Sequence, residues 1–134
     1  MSIGTETERL NTLSNQVIGA ARRVHRELGP GLLESAYESC LAFELTDAGL
    51  CVERQRPVPL VYRGRQMTCG YRIDLLVEND LIVEVKAIER LEPVHSAQLR
   101  SHLKLAKRKL GLLINFNVKW LRDGIKRVVH GLPE

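Results

Sequence analysis

The chain has 134 residues with 44% hydrophobic and 27% charged side chains and a net charge of +4, which predicts one globular domain over residues 1–134. No apolar run approaches the roughly 20 residues of a membrane span, and the N-terminus lacks the features of a secretory signal, so no membrane association is expected. The three cysteines, Cys40, Cys51 and Cys69, form no CxxC pair, which argues against a disulfide framework or zinc site and favours a cytoplasmic location.

Two helices are predicted at the start of the chain. Apolar residues recur at helical spacing over Leu13–Leu28, and Thr5 with Glu8 has the spacing of a capping box that would start this helix earlier. Gly29-Pro30-Gly31 should end it. A second helix is predicted from about Leu32 to Ala48, with an apolar stripe formed by Leu33, Tyr37, Cys40, Leu41 and Leu45.

The middle of the chain has the two-residue period of strands. The segment Val52–Tyr62 contains two prolines, which predicts an edge or irregular strand, and a short strand should follow at Gln66–Cys69. Two strongly apolar strands, Arg72–Val77 and Leu81–Ala87, are joined by a polar turn. We expect these two to form a hairpin, with the second strand in the middle of the sheet.

A third helix and two more strands complete the predicted elements. Pro93 should lie in the first turn of the helix, Gly111 should end it, and its apolar stripe consists of Leu99, Leu103, Ala106 and Leu110. Strands are predicted at Leu112–Phe116 and, more weakly, at Gly124–His130. The order α-α-β-β-β-β-α-β-β predicts an α/β fold, a mixed central sheet flanked by helices.

Charged residues in the two apolar strands are the main candidates for a site. Side chains alternate along a strand, so Glu84 and Lys86 point to one face, and a hairpin would bring Asp74 near Glu84. A Glu and Lys two apart are commonly a solvent-facing pair. Here the flanking residues are too apolar for an exposed sheet, and buried charges are usually paired or bind a metal. Two carboxylates suit Mg²⁺ or Mn²⁺, and Glu34 on the second helix would add a third.

The same residues resemble the motifs of a known family. Gly31-Leu-Leu-Glu34-Ser-Ala-Tyr37 matches the pattern that names the GxxExxY proteins, and Asp74 with Glu84-Val85-Lys86 resembles the signature of the PD-(D/E)XK nuclease superfamily. The resemblance extends from about Ser14 to Val129 and places the chain near the RecB-like branch. It implies a restriction-endonuclease-like fold and a metal-dependent nuclease that hydrolyses phosphodiester bonds, with DNA as the favoured substrate.

The resemblance also implies roles for individual residues. Asp74, Glu84, the backbone carbonyl of Val85 and Glu34 would hold Mg²⁺ or Mn²⁺. Lys86 would serve the attacking water, and Gln98 is the helix residue that often accompanies the motif. Two positions depart from the family pattern: Ile73 stands where Pro is common, and His102 stands where Tyr is expected, which puts a role for His102 in doubt.

Elementary chemistry supports the same assignment. A metal ion on the two carboxylates would polarise a phosphate, and Lys86 could orient water and stabilise the developing negative charge. Tyr37 lies one turn after Glu34, so its hydroxyl would either hydrogen-bond a site carboxylate or be satisfied within the core. His95 and His102, two turns apart on the third helix, favour packing or phosphate contact over metal binding.

Positive charge is concentrated late in the chain. Residues 98–134 hold nine Lys or Arg against two acids, which favours a polyanionic partner, with nucleic acid first. Lys107, Arg108 and Lys109 would either follow a phosphate backbone or form an ordinary solvated helix face. Trp120 is interpreted as a core residue rather than a stacking platform, because aromatic residues are few.

A domain of this size has little surface for reading a base sequence. Any specificity should therefore come from the structure of the nucleic acid, from a partner protein or from a homodimer. A non-catalytic nucleic-acid-binding or adaptor protein that retains the fold is the alternative function. An enzyme that uses the same metal pocket on a small molecule is a third.

Overall fold

Helices flank a set of strands in the computed structural model, which describes residues 3–133 and the side chains of residues 5–133. The helices are α1 (Ile3–Leu28), α2 (Glu34–Asp47) and α3 (Pro93–Ala106). The strands are β1 (Val52–Pro57), β2 (Leu60–Tyr62), β3 (Arg65–Met67), β4 (Arg72–Val77), β5 (Leu81–Lys86), β6 (Leu110–Asn115) and β7 (Ile125–Val129). A short 3-10 helix, Leu121–Gly124, precedes β7. None of the described helices combines the length and apolar character needed to span a membrane.

Five strands form a mixed sheet in the order β1-β4-β5-β6-β7, so β5 is central as predicted. The strands β4 and β5 form the predicted antiparallel hairpin. The strands β5 and β6 are parallel, and α3 is the connection between them. The carboxyl ends of β5 and β6 therefore lie side by side at one edge of the sheet. The predicted mixed α/β architecture is confirmed.

The two faces of the sheet are buried by different helices. Leu81, Val83 and Val85 of β5 pack in the larger cluster with α1 and α2. Ile82 packs in the smaller cluster with Leu99 of α3. Glu84 and Lys86 alternate with the first set and so belong to the α3 side of β5.

Several predicted boundaries are wrong for local reasons. The segment Val52–Tyr62 is two strands, because β2 leaves the main sheet and pairs with β3 in a separate hairpin. The first helix begins at Ile3, so Thr5 lies inside it and does not cap it. Leu33 is 77% exposed and is the N-terminal cap of α2 rather than part of its buried stripe.

The end of the third helix is also earlier than predicted. Lys107 has a left-handed backbone with φ of 56°, and the amide of Arg108 donates to the carbonyl of Leu103, which terminates α3 after Ala106. Leu110 and Gly111 belong to β6. Gly111 serves packing instead, because a Cβ there would lie 2.9 Å from Leu99.

Candidate active site

Asp74 and Glu84 meet where β4 and β5 separate. The antiparallel pairing joins Leu75 to Val83, and its continuation places Asp74 beside Glu84. At this point the Asp74 carboxylate accepts a hydrogen bond from the backbone amide of Val85 at 2.8 Å. A side chain thus replaces a backbone partner, and two carboxylates lie together at the end of the hairpin.

Glu84 is a buried carboxyl group with an unusual pKa. Its side chain lies in the protein interior, with 7% of the residue exposed. Burial, the largest cause, raises the pKa of Glu84 from 4.5 to about 7; the hydrogen bond with His102 opposes this rise, and the nearby charge of Asp74 adds to it. Without a compensating cation, Glu84 therefore holds a proton for much of the time near neutral pH.

His102 is a site residue whose role the sequence left in doubt. Its Nδ1 lies 3.0 Å from Oε1 of Glu84, and its ring contacts that of Tyr71 with centroids 5.8 Å apart. The contact with Tyr71 is the packing expected of His102, whereas its contact with Glu84 was not foreseen; phosphate contact stays a prediction. His102 is thus the direct partner of Glu84, a motif residue, and holds the Glu84 carboxyl group in place.

Gln55 is a second residue that sequence reasoning missed. Its amide donates to Oδ1 of Asp74 at 3.3 Å and to Oε1 of Glu38 at 2.8 Å. Glu38 is a buried acid of α2 that also binds Arg54 at 3.1 Å. Gln55 has a positive φ of 53°, an uncommon backbone conformation for a residue other than glycine. Nothing in the exposed, charged segment around Gln55 indicated this contact.

Lys86 and Glu34 lie at the same edge of the sheet. The Lys86 side chain is half-buried and makes no hydrogen bond or ion pair with another described residue. Oε2 of Glu34 accepts a long hydrogen bond, 3.4 Å, from the amide of Ala87. Among residues 5–133, no group of three His, Cys, Asp or Glu side chains is arranged to hold a metal ion.

Tyr37 supports the loop before α2 instead of contacting a carboxylate. Its hydroxyl donates to the carbonyl of Gly29 at 2.6 Å and accepts from the amide of Leu32 at 3.1 Å. Its ring is fully buried and stacks on Phe116 with centroids 4.7 Å apart. These contacts agree with the interpretation of Tyr37 as a core residue whose hydroxyl is hydrogen-bonded. Gln98 is exposed one helical turn before His102 and makes no hydrogen bond within the described part of the chain.

The segment that follows Lys86 is held by a buried amide. Asn115, at the end of β6, accepts a hydrogen bond from the amide of Ile88 at 3.0 Å and donates one to its carbonyl at 2.9 Å. The amide of Phe116 donates to the carbonyl of Lys86 at 2.9 Å. Gly124 packs against this point, where a Cβ would lie 2.2 Å from the carbonyl oxygen of Asn115.

Comparison with known proteins gives one finding. A model of the PD-(D/E)XK nuclease superfamily matches residues 11–128, a span that includes Asp74, Glu84 and Lys86. No curated protein and no solved structure was found to be significantly similar to the chain.

Proposed function

Because the chain belongs to the PD-(D/E)XK nuclease superfamily, we propose that it is a metal-dependent nuclease that hydrolyses phosphodiester bonds, with DNA as its substrate. Its five-stranded mixed sheet with three helices is consistent with the restriction-endonuclease-like fold of that superfamily. The pattern from Gly31 to Tyr37 favours the GxxExxY group and the RecB-like branch. The observation that carries the proposal is the pairing of Asp74 with Glu84 next to Lys86, whose side chain has no partner in the described part of the chain.

The donor atoms at this edge fit a hard divalent cation. Asp74 and Glu84 are adjacent carboxyl groups, one of them buried, and such a pair does not easily hold two negative charges. Mg²⁺ or Mn²⁺, which prefer oxygen ligands, would relieve this repulsion. We propose that both carboxylates and the carbonyl of Val85 hold the ion, and that Glu34 joins from α2 by leaving its long bond to Ala87. The ion, when bound, polarises the phosphate and acidifies water.

The side chains of the chain itself then have distinct roles. Lys86 follows Glu84 on the same face of β5, where its ammonium group can orient a water molecule and stabilise negative charge on the phosphoryl oxygens. His102 and Gln55 act as positioning residues, because each contacts one of the two carboxylates. Gln98, one turn before His102, is proposed to contact the substrate from α3. Tyr37 is proposed to act through the backbone it supports.

A cleavage assay tests the proposal. Single-stranded and double-stranded DNA and RNA should be offered with Mg²⁺, with Mn²⁺ and with EDTA. The wild type should cut at least one DNA substrate when metal is present. Lys86→Ala should lower the rate by about 10²- to 10³-fold, the cost of losing one preorganised charge-stabilising group. Lys126→Ala, which removes an exposed strand lysine on β7, is the matched control and should leave the rate unchanged.

The metal can be followed separately from cleavage. Mg²⁺ should raise the melting temperature of the wild type and of Lys86→Ala, because a ligand of the folded state stabilises it by mass action. Asp74→Asn should lose this rise. A wild type that leaves all four substrates intact with both metals would replace the nuclease with the non-catalytic binding protein. A Lys86→Ala variant that cuts as fast as the wild type would show that the site is assigned wrongly.

A further inference from the structure

A second surface of the molecule combines positive charge with an exposed aromatic ring. A cleft of about 740 Å³ lies between the carboxyl-terminal end of α1 and the segment that follows β6. Its lining includes the cations Arg22, Arg26, Lys119 and Arg122 together with Trp120. Among residues 5–133, no carboxylate lines it. The cleft therefore offers a concave, positively charged wall beside a flat ring.

The cations of this cleft have no carboxylate partner among the residues that the structure describes. Several other arginines are ion-paired, such as Arg9 with Asp80, Arg23 with Glu44 and Arg54 with Glu38, whereas Arg65 and Arg100 make no ion pair with another described residue. None of the four cleft cations makes an ion pair with another residue that the structure describes. Uncompensated positive charge within a concave surface raises the local concentration of a polyanion. The contrast with Arg23, which adjoins Arg22 on the same helix, shows that the pairing differs by helix face.

Trp120 is exposed, which corrects its interpretation as a core residue. It is 57% exposed and lies directly before the short 3-10 helix. Nζ of Lys119 lies 5.5 Å from the centre of its ring, a cation–π contact that holds the indole and occupies one of its faces. An exposed indole among cations is the arrangement by which proteins stack the bases of single strands.

The cleft adjoins the candidate active site through the sheet. Lys86 ends β5 and Asn115 ends β6, and these parallel strands finish side by side. The amide of Phe116 bonds to the carbonyl of Lys86, and His25 Nε2 donates to the carbonyl of Val118 at 2.7 Å. The segment that follows β6 therefore leads directly into the wall of the cleft. Trp120 in the cleft thus lies four positions along the chain from Phe116, which is bonded to the Lys86 backbone.

We propose that this cleft binds a single-stranded segment of nucleic acid that flanks the scissile phosphate. A base stacks on the face of Trp120 that Lys119 does not occupy, while Arg22, Arg26 and Arg122 contact phosphates. The cleft should prefer single strands, because the base faces of a duplex are already covered by neighbouring base pairs and cannot stack on Trp120. That the partner is a nucleic acid rests on the proposed function, but binding of a nucleic acid to the cleft does not require cleavage.

The chain contains one tryptophan, so its indole fluorescence reports on Trp120 alone. An oligothymidylate and a duplex of equal length should be titrated into the wild type in EDTA. The single strand should quench the fluorescence and bind at least tenfold more tightly than the duplex. The double variant Arg22→Ala/Arg26→Ala should lower the slope of log affinity against log salt by about 1.4, the value for two lost phosphate contacts.

Two matched controls separate this surface from general charge. Arg23→Ala and Arg9→Ala, combined, remove the same charge from the same helix but at residues that are ion-paired elsewhere. That pair should leave the affinity within about threefold of the wild type. Trp120→Phe should keep most of the affinity for a labelled oligonucleotide, and Trp120→Ala should lose about tenfold or more, in line with the loss of one stacked base.

Three results would overturn the inference. They are equal quenching by duplex and single strand, an unchanged fluorescence at saturating single strand, and an equal loss of affinity in the control pair and the cleft pair. These outcomes are distinct from failure of the nuclease proposal. A protein that binds in EDTA but never cuts with metal keeps the cleft and loses the nuclease; one that cuts without quenching loses only the cleft.

Discussion

Replacing Glu84 with glutamine should stabilise the metal-free protein at alkaline pH while removing a proposed metal ligand. Burial, the first cause, raises the pKa of Glu84 from 4.5 to about 7, so the carboxyl group takes up a proton on folding between these pH values. The stability that this proton provides is present below about pH 4.5 and is lost as the pH rises to about 7. Full loss corresponds to about 3 kcal/mol of unfolding free energy. Glutamine has the shape of the protonated acid and has no charge to bury.

The expected difference therefore depends on pH. In EDTA at pH 8, Glu84→Gln should exceed the wild type by about 3 kcal/mol in the free energy of unfolding measured with urea. At pH 5 the difference should fall to about 1 kcal/mol or less, because the wild-type carboxyl group is then protonated in the folded state. Glu27→Gln, at an exposed position on α1, is the control and should change stability little at either pH.

Adding Mg²⁺ should reverse the order of stability of the wild type and Glu84→Gln. Mg²⁺ should raise the melting temperature of the wild type but not that of Glu84→Gln, since the amide is a poor ligand for this ion. If the two proteins differ by the same amount at pH 5 and pH 8, Glu84 does not carry the proton that its burial implies. The argument that burial raises the pKa of Glu84 would then be refuted.

Three further changes test the surroundings of the site. Gly124→Ala should lower the unfolding free energy by about 3 kcal/mol, because its Cβ would lie 2.2 Å from a backbone oxygen. Gly19→Ala in α1 is the control and should raise the unfolding free energy by about 1 kcal/mol. Urea unfolding measures both changes. His102→Phe removes a hydrogen bond that lowers the pKa of Glu84, so the fall in stability should move to higher pH; an unchanged profile would contradict the contact. Gln55→Ala should weaken Mg²⁺ binding, measured by calorimetry, by about tenfold without preventing folding, because Asp74 loses a positioning partner; equal affinity would make Gln55 structural only.

The strands and the motif positions were predictable because their signals are local. The apolar run Leu81–Ala87 predicted a strand, side-chain alternation placed Glu84 and Lys86 on one face, and the polar turn predicted the hairpin. Gly29 ends α1 with a positive φ, as glycine commonly does. Each of these features depends on residues within a few positions of one another, where backbone preferences and side-chain alternation decide the outcome.

Helix ends and strand divisions were less predictable. The spacing of Leu103, Ala106 and Leu110 fits a continuous helix, yet α3 ends at Ala106 and Leu110 is the first residue of β6. The hydrophobic period is the same for a helix that continues and for one followed by a buried strand. Packing against the parallel neighbour β5 decides between them, and that neighbour lies outside the local window.

The basic surplus after residue 98 was visible in the sequence, but its distribution in space was not. Lys109 is ion-paired to Glu6 at 2.7 Å, and Arg108 donates to the carbonyl of Asn79 at 2.8 Å. In the cleft, Arg22 and Arg26 of α1 join Lys119 and Arg122, and none of these four makes an ion pair with another described residue. Counting charges along the chain cannot distinguish an arginine that faces a carboxylate from one that faces solvent.

The sequence by itself singled out the candidate site residues: Asp74, Glu84 and Lys86 stand out because charges are unexpected in such apolar strands. Only the tertiary structure decided what surrounds them. Gln55 reaches Asp74 across 19 positions of the chain, His102 reaches Glu84 across 18, and His25 reaches Val118 across 93. Such contacts follow from strand register and helix crossing, which are set by burial of the whole core and leave no period or spacing in the sequence.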